Sequence, residues 1–361
     1  MIRLGTALGA TIVVVLAAQA IAGDPPRRPQ EEAITATPAP YRAEIVTFEN
    51  PAAAGVRLAG TLTLPKGNQR FPAILLLTGS GKHDRNAAIG GHELPLVLAD
   101  TFTKQGYAVL RYDKRGVAES TGDYDSANTL DFASDAAAAV AYLRTRSDID
   151  TAKVGIIGHS EGATIGAILA AKDSKLAFIV MMAGFALRGD ILVAEQNKRF
   201  AMANGESKEA ATTTYQLNRR LYEAIGASKD QSEAEARTRE ILTSAKPEPD
   251  QNEIDQAMMF ARLPYMRFIL SYDPTQPLTR VLVPVLYVCG SKDLILPPDV
   301  NLPPLRKDLA HDHDVTVVEL PGLNHMFQHA ETGSPTEFAQ IEETVAPEVV
   351  SLMQSWVAKH S

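Results

Sequence analysis

The sequence predicts an α/β protein with a mostly parallel, doubly wound sheet, an antiparallel hairpin at its start and a late all-helical insertion. Three observations predict this architecture. Residues 42–64 alternate apolar and polar side chains, later strand-like runs are continuously apolar and separated by helical stretches, and residues 185–277 contain no plausible strand. Apolar runs that alternate with helices are typical of parallel strands buried on both faces.

The hairpin is predicted by two alternating runs, residues 44–48 and 57–64, with turn-forming Asn50-Pro51 and Gly55 between them. Parallel strands are then predicted at 73–77, 107–111, 154–157, 178–182, 285–288 and 315–320. Core helices are predicted at 130–146 and 336–359. In such a sheet, the active site lies at the carboxyl ends of the strands.

Residues 185–277 separate two core segments, 42–184 and 278–361. Helical character is found at 192–203, 208–225, 232–244 and 253–271. The last helix has an apolar edge that includes Tyr265, and its residues Met258, Met259 and Phe260 are candidates for substrate contact. Packing of the insertion on the core would explain most of this edge, so both interpretations remain open.

Residues 1–22 have the features of an export signal: Arg3, an apolar stretch and small residues at a cleavage site. We expect a periplasmic or secreted protein without stable membrane insertion after cleavage. An uncleaved anchor is the alternative, but Gly5 and Gln19 interrupt the stretch. Residues 23–41 are rich in Pro, Arg and Glu and predict a disordered linker.

The composition excludes several partners and stabilising devices. The net charge is -8 and the acidic residues are dispersed, which does not favour nucleic acid. Cys289 is the single cysteine, so no internal disulfide can form, and its apolar surroundings predict a buried thiol.

The candidate nucleophile is Ser160, within Gly158-His159-Ser160-Glu161-Gly162. An apolar strand precedes this stretch and a helix of small residues follows it. A nucleophilic serine stands on a tight strand-to-helix turn, and glycines permit the crowded backbone of that turn. An ordinary turn or a helix N-cap is the alternative interpretation.

A glycine-containing loop, residues 78–81, follows the first parallel strand. The backbone N–H of Glu161 and that of Ser80 or Gly81 could form an oxyanion hole. A phosphate-binding loop is the alternative, but the spacing and the Lys-Ser/Thr pair of that motif are missing.

The general base should be a histidine that follows the catalytic acid in the chain. His325 comes directly after strand 315–320, whereas His83, His92 and His159 precede any suitable acid.

The acid should lie at the end of strand 285–288. Asp293 meets this condition and Asp299 is its nearest competitor. His311 and His313 alternate with aspartates but lack a third ligand, so we predict no metal and no cofactor.

The loop at residues 111–122 also follows a strand end. Asp113, Arg115 and Ser120 could be taken as catalytic. We expect instead an ion-paired loop that shapes the floor of the site.

Over nearly the whole mature chain, the sequence resembles bacterial esterases of the α/β-hydrolase fold with an inserted helical lid, a group often labelled serine aminopeptidase-like or acyl-peptidase-related hydrolases. The matching stretches are 79–81 with 84–86, 110–116 with 120–122, 158–162, and 290–293 with 323–325. The resemblance implies a carboxylesterase with Ser160, Asp293 and His325 as its triad, Ser80 or its neighbour in the oxyanion hole, and a lid formed by residues 185–277. Ala118 and Ala163 stand where such sequences usually have glycine, and Thr78 replaces a histidine.

These observations predict a secreted serine esterase that acts on small, short-acyl esters and water through an acyl-enzyme. An acyl-aminopeptidase or amidase with the same triad is the alternative. It would need an acidic residue such as Glu195 or Glu253 to recognise an amine, and both are expected on solvated faces. A third hypothesis is a non-catalytic binding protein on the same scaffold, but the intact triad argues against it.

Overall fold

One eight-stranded sheet with helices on both faces forms the core of the computed structural model, which describes residues 26–246 and 248–361. The strands are β1 (Arg42–Glu49), β2 (Arg57–Leu64), β3 (Phe71–Leu77), β4 (Ala108–Tyr112), β5 (Ile149–His159), β6 (Ile179–Met182), β7 (Val285–Gly290) and β8 (Val315–Leu320). The helices are α1 (Pro29–Thr35), α2 (Leu94–Lys104), α3 (Thr129–Thr145), α4 (Glu161–Ala170), α5 (Gly189–Ala203), α6 (Lys208–Gly226), α7 (Gln231–Ser244), α8 (Gln251–Arg262), α9 (Pro264–Ser271), α10 (Thr275–Leu278), α11 (Pro298–Asp308) and α12 (Pro347–His360), and a 3-10 helix spans Pro335–Gln340.

The strand order is β1-β2-β4-β3-β5-β6-β7-β8. β1 pairs antiparallel with β2, and β2 pairs antiparallel with β4, whereas the remaining pairs are parallel. This confirms the predicted hairpin and parallel sheet. Gly158, at the end of β5, lies between Leu77 of β3 and Met181 of β6, so the serine stretch is at the centre of the sheet.

Two apolar layers cover the sheet. On one face, α3, α4 and α11 contribute Phe132, Ile165 and Leu305. On the other face, α2 and α12 contribute Leu98 and Met353. All residues of α4 are buried, because its alanines and glycines let it approach the strands closely.

The described part of the inserted segment contains five helices, α5 to α9, and the short helix α10 lies at its junction with the core, before β7. The single helix predicted at 253–271 is wrong, because α8 ends at Arg262 and α9 begins at Pro264. Proline has no N–H to donate and disfavours helical geometry in the preceding residue, so Leu263 is extended at φ -78° and ψ 118°. The two ends of the insertion meet where the Gly189 N–H donates to the Tyr272 carbonyl at 2.9 Å.

Proline also divides the predicted C-terminal helix at 336–359. A 3-10 helix covers its first part, and α12 begins at Pro347 after an extended Ala346. Pro347 is in the first turn, where a missing N–H costs nothing.

The predicted disorder of residues 23–41 is wrong for residues 29–35, which form α1. Its buried Glu31 accepts hydrogen bonds from the Glu93 N–H at 3.0 Å and the Thr344 hydroxyl at 2.5 Å. Arg28 donates to the carbonyls of Gly90 and Ala339, both at 2.8 Å. Composition alone could not reveal these contacts with distant parts of the chain.

The predicted signal peptide, residues 1–22, lies outside the described residues. Within the described part of the chain, no helix has the length and apolarity needed to cross a membrane.

Candidate active site

Ser160 occupies a strained turn between β5 and α4, with φ 55° and ψ -120°. Positive φ is unfavourable for a serine and is typically kept where function requires it. A Cβ atom at Gly158 would overlap the Gly162 carbonyl, and one at Gly162 would overlap the Leu77 carbonyl. The turn therefore needs both glycines, as the sequence predicts.

Ser160 stands at the N-cap position of α4, but its side chain makes no capping hydrogen bond. The alternative of a simple N-cap serine therefore does not describe this residue. Its hydroxyl is not committed to the helix.

His325 and Asp293 form a buried pair in which His325 Nδ1 lies 2.8 Å from Asp293 Oδ2. The other carboxylate oxygen accepts the N–H groups of Ile295 and Leu296, both at 2.8 Å. Asp293 is thus held in place and can accept the Nδ1–H of His325, which leaves Nε2 available as a base. The competitor Asp299 pairs instead with Arg199 at 2.5 Å.

The loop that carries His325 is tied to the serine turn through His159. The His159 Nε2 lies 2.9 Å from the His325 carbonyl, and the two imidazole rings are 4.8 Å apart. Burial, followed by the nearby His325, lowers the pKa of His159 to about 3. His159 is therefore neutral and donates this bond.

Among the hydrogen bonds of the described residues, none joins Ser160 to His325. Catalytic hydrogen bonds in unliganded enzymes are commonly long and tighten when substrate binds.

The loop after β3 passes directly against the nucleophile, since a Cβ at Gly79 would lie 3.3 Å from the Ser160 Cβ. The Gly81 N–H is already used, donating to the Tyr124 hydroxyl at 3.1 Å. The N–H groups of Ser80 and Glu161 have no partner within the described residues. Of the two alternatives for the loop donor, Ser80 is the one left free.

A buried polar network lies beneath this loop. The Lys114 ammonium donates to Glu161 Oε2 at 2.9 Å and to the Gly79 carbonyl at 2.6 Å. The Thr129 hydroxyl donates to the other oxygen of Glu161 at 2.8 Å. Sequence reasoning missed Lys114 and Thr129, although the ion-paired character of the loop at 111–122 was expected.

The remaining charges of that loop are paired away from Ser160. Arg85 contacts Asp113 at 2.6 Å, and Arg115 contacts Asp135 at 2.7 Å. The Ser120 hydroxyl donates to the Asp113 carbonyl at 2.7 Å. These residues support the loop, as predicted.

Tyr265, on α9, connects the insertion to the site. Its hydroxyl lies 2.9 Å from Ser80 Oγ and 3.0 Å from Glu161 Oε1. Burial, together with the charge of Glu161, raises the pKa of Tyr265 well above its usual value. The only sequence signal for this role was a hydroxyl-bearing residue on an otherwise apolar helix edge.

The candidate substrate residues of α8 are packed inside the protein. Met258 and Phe260 are buried, Met259 is half-buried, and the Phe260 ring lies 5.8 Å from that of Tyr222 in α6. A narrow cavity of about 20 Å³ lies next to the serine turn and has none of these three residues in its wall. Its lining includes Thr78, Gly79, Ile89, Leu94, His159 and Met326.

His311, Cys289 and the two glutamates considered for amine recognition all lie in settings that their contacts define. The His311 ring bonds to the carbonyls of Asp308 and Val281, and no cluster of three metal-ligating side chains occurs within the described residues. Burial raises the pKa of the Cys289 thiol to about 12, which keeps it protonated. Glu195 and Glu253 are buried, contrary to the expectation of solvated faces.

The sheet topology, the strained serine and the buried His–Asp pair define a serine hydrolase of the α/β-hydrolase fold. Residues 54–299 match the family model of the X-Pro dipeptidyl-peptidases, the S15 family, and the chain belongs to this family.

A curated relative is the esterase EstD of Thermotoga maritima, 26% identical over 306 residues, which cover 84% of this chain and 66% of that protein. The chain thus spans just under two thirds of that esterase. An uncharacterised 31.7 kDa protein of Escherichia coli is 26% identical over 67% of this chain and 79% of its own length.

Two solved structures share the fold. A Pyrococcus furiosus esterase superposes with a TM-score of 0.52 at 13% identity, covering 92% of this chain and 97% of its own. The proline iminopeptidase of Mycobacterium smegmatis has a TM-score of 0.52 at 17% identity, covering 88% and 98%.

Proposed function

We propose that the protein is a secreted serine carboxylesterase that hydrolyses small, short-acyl esters through an acyl-enzyme. The observation that carries the proposal is the strained Ser160 next to two free backbone donors and a buried His325–Asp293 pair. The relationship to a protein named as an esterase supports the ester as substrate.

In the proposed reaction, Ser160 Oγ attacks the ester carbonyl carbon while His325 Nε2 takes its proton. The carbonyl oxygen becomes negatively charged and is stabilised by the N–H groups of Ser80 and Glu161. When the tetrahedral intermediate collapses, the C–O bond breaks and His325 returns the proton to the leaving alcohol. Water, deprotonated by His325, then attacks the acyl-enzyme and releases the acid and Ser160. Asp293 stabilises the imidazolium in both steps.

An aminopeptidase is the second candidate, because the family model is that of X-Pro dipeptidyl-peptidases. Recognition of an N-terminal amine would need a free carboxylate in the site. Glu253 accepts the Asp250 N–H in the cap of α8, at 2.8 Å, and Glu195 lies 3.8 Å from both Lys198 and Arg199. Within the described residues, neither carboxylate makes a hydrogen bond or an ion pair with Ser160 or His325, so the ester is favoured.

Hydrolysis of nitrophenyl acetate and butyrate, compared with aminoacyl and X-Pro nitroanilides, tests this choice. We expect ester turnover with a kcat/KM at least 100-fold above that for any anilide, and complete inactivation by a fluorophosphonate. Ser160→Ala should lose labelling and about 10⁴-fold or more of kcat. Faster anilide turnover would establish the peptidase instead, and labelling that persists in Ser160→Ala would assign another nucleophile.

The expected short-acyl preference is supported by the small cavity next to Gly79 and His159. Each methylene that is buried contributes about 0.8 kcal/mol, so kcat/KM should rise along an acyl series until the space is filled. We propose a maximum between roughly two and six carbons, which requires the wall of this cavity to yield as the acyl chain enters.

Enlarging the apolar wall with Leu94→Ala should move this maximum to longer acyl chains. In contrast, Met259→Ala tests the alternative that α8, whose Met258, Met259 and Phe260 are the predicted substrate contacts, limits chain length. A shift with Met259→Ala alone would place the limit in the insertion, and efficient hydrolysis of long-chain triglycerides by the unaltered protein would contradict the short-acyl proposal.

Export is proposed from residues 1–22 alone. Expression of the full chain in a Gram-negative host, followed by N-terminal sequencing of the periplasmic fraction, tests it. We expect the mature protein to begin near residue 21 or 23. Retention of residues 1–22 in the membrane fraction would favour the uncleaved anchor.

A further inference from the structure

We propose that Lys114 is a positioning residue that orients and polarises the Ser80 N–H of the oxyanion hole, and that Glu161 and Tyr265 hold it in that role. The inference rests on the proposed acyl-transfer function and deepens it. It concerns how the two backbone donors are kept in place before substrate binds.

Lys114 acts on a single peptide bond, the one between Gly79 and Ser80. The Gly79 carbonyl and the Ser80 N–H belong to the same planar peptide, and in a trans peptide these two groups point in opposite directions. Lys114 Nζ holds the Gly79 carbonyl at 2.6 Å. Fixing the carbonyl on one side therefore fixes the direction of the Ser80 N–H on the other. The positive charge of the Lys114 ammonium, next to the carbonyl oxygen, also polarises the peptide and makes the Ser80 N–H a stronger donor.

The peptide between Ser80 and Gly81 is also held at both its carbonyl and its N–H, but by uncharged side chains. The Ser80 carbonyl accepts a hydrogen bond from His83 Nε2 at 2.7 Å, while the Gly81 N–H donates to Tyr124. Burial, followed by the charge of Lys114, lowers the pKa of His83 to about 4. His83 is therefore neutral near pH 7, and Lys114 is the charged group that acts on this loop.

Glu161 links the two halves of the oxyanion hole. Its backbone N–H is the donor from the serine turn, and its side chain holds Lys114 at 2.9 Å. One ion pair thus connects the residue that supplies the first donor with the peptide that supplies the second. Glu161 is fully buried and Lys114 nearly so. A buried ion pair of this kind is expensive to desolvate and contributes little net stability, which favours a positioning role.

Tyr265, on the insertion, bonds through its hydroxyl to both Ser80 Oγ and Glu161 Oε1. The single phenolic hydrogen of Tyr265 serves both contacts, with Ser80 Oγ and the carboxylate of Glu161 as its acceptors. Tyr265 therefore braces the Ser80 side of the same peptide. The position of α9 is thereby coupled to the oxyanion hole.

The experiment compares Lys114→Met with a matched control, Lys82→Met. Lys82 follows the Gly79 and Ser80 loop after β3, but it is exposed and pairs with Asp125 at 2.8 Å. With nitrophenyl butyrate, we expect Lys114→Met to lower kcat by 10- to 100-fold with KM within twofold, since the donor acts on the transition state. A trifluoromethyl ketone forms a hemiketal with the serine and places an oxyanion in the hole. The affinity for this ketone should fall by a similar factor. Lys82→Met should change neither.

Lys114→Met leaves Glu161 buried without its counter-charge and could fail to fold. The double variant Lys114→Met with Glu161→Gln removes the pair together, and Tyr265→Phe leaves it intact. We expect the double variant to show the same loss of kcat and of ketone affinity, and Tyr265→Phe to show a three- to tenfold loss of both. These readouts separate positioning from stability, because a merely structural role would lower the melting temperature without a matched loss of ketone affinity.

Two failures are distinguishable. If the unaltered protein does not turn over the ester, the proposed function is overturned. If the unaltered protein is active and the folded double variant keeps its kcat and its affinity for the ketone, this inference alone is overturned.

Discussion

The serine turn and the helical insertion hold their polar groups in different ways. Around Ser160, main chain packs on main chain at Gly158 and Gly162, and the carboxylate of Glu161 has three hydrogen-bond partners. In the insertion, side chains pack between amphipathic helices, and some buried polar atoms have no partner in the described structure. Both side-chain polar atoms of Asn218 and the hydroxyl of Thr238 are in this state.

This difference predicts which of the two regions opens more readily. A buried polar atom without a partner costs about 1–3 kcal/mol, so we expect local opening to be easier in the interior of the insertion than at the serine turn. Elements that admit substrate are commonly drawn from such regions. The hydrogen bonds of Tyr265 connect the insertion to Ser80 and to Glu161 beside the serine turn.

The largest effect is expected from a single methyl group added to α4 at the serine turn. Gly162→Ala places a Cβ against the Leu77 carbonyl, whereas Gly166→Ala, one turn later in the same helix, meets only a side-chain methyl of Ile156 at 3.4 Å. We expect Gly162→Ala to lower the free energy of unfolding by about 3 kcal/mol or more and to abolish turnover.

Gly166→Ala serves as the control and should change stability by no more than about 1 kcal/mol, with helix propensity in its favour. Urea denaturation and esterase assays measure both variants. Equal stability of the two variants would show that the serine turn is not sterically determined.

Lowering the pH should affect the two regions differently, because histidines occur in the core segments and not in residues 185–277. Since the pKa values of His83 and His159 are lowered to about 4 and 3, these residues take up protons on unfolding, and stability should fall as pH drops from about 6.5 to 4. Both remain neutral above pH 5. A loss of kcat/KM with falling pH in that range would therefore not come from His83 or His159 and would report another group of the active site.

The control is His329→Gln, because His329 is exposed and its hydrogen bond to the Glu343 carboxylate raises its pKa above the usual value. We expect this variant to keep the acid limb of the rate profile. Melting temperatures at each pH separate loss of catalysis from unfolding. Loss of the acid limb in His329→Gln would assign it to this surface residue and not to the active site.

The smallest expected effect compares two fully buried threonines. Thr129 donates to Glu161, whereas the Thr238 hydroxyl has no partner within the described residues. Thr129→Val should destabilise the protein by about 1–3 kcal/mol, because it removes a hydrogen bond to a charged group.

Thr238→Val replaces an unpaired hydroxyl with a methyl group and should be neutral or stabilising by about 1 kcal/mol. Thermal unfolding of both variants against the unaltered protein measures the difference. Similar losses from both substitutions would show that the insertion is held as tightly as the site.

Local sequence patterns were sufficient for the strands, for the strained serine and for the order of the candidate triad. A buried parallel strand is continuously apolar because both faces are covered, so β3 and β7 could be recognised along the chain. The two glycines of the serine turn reflect backbone crowding within five residues, which is also a local property. Helix ends were predicted less well, since Pro264 and Pro347 divide stretches whose periodicity is otherwise continuous.

The sequence by itself therefore determined the fold class, the position of Ser160 and the candidates Asp293 and His325. Three-dimensional contacts were needed to show that, within the described residues, the N–H of Ser80 and not that of Gly81 lacks a partner, and that Lys114 and Tyr265 meet at Glu161. They also showed that α1 packs on the core. The physical reason is that these contacts join residues far apart in the chain, and a lysine or tyrosine has the same local pattern whether its polar atom meets water or a buried carboxylate.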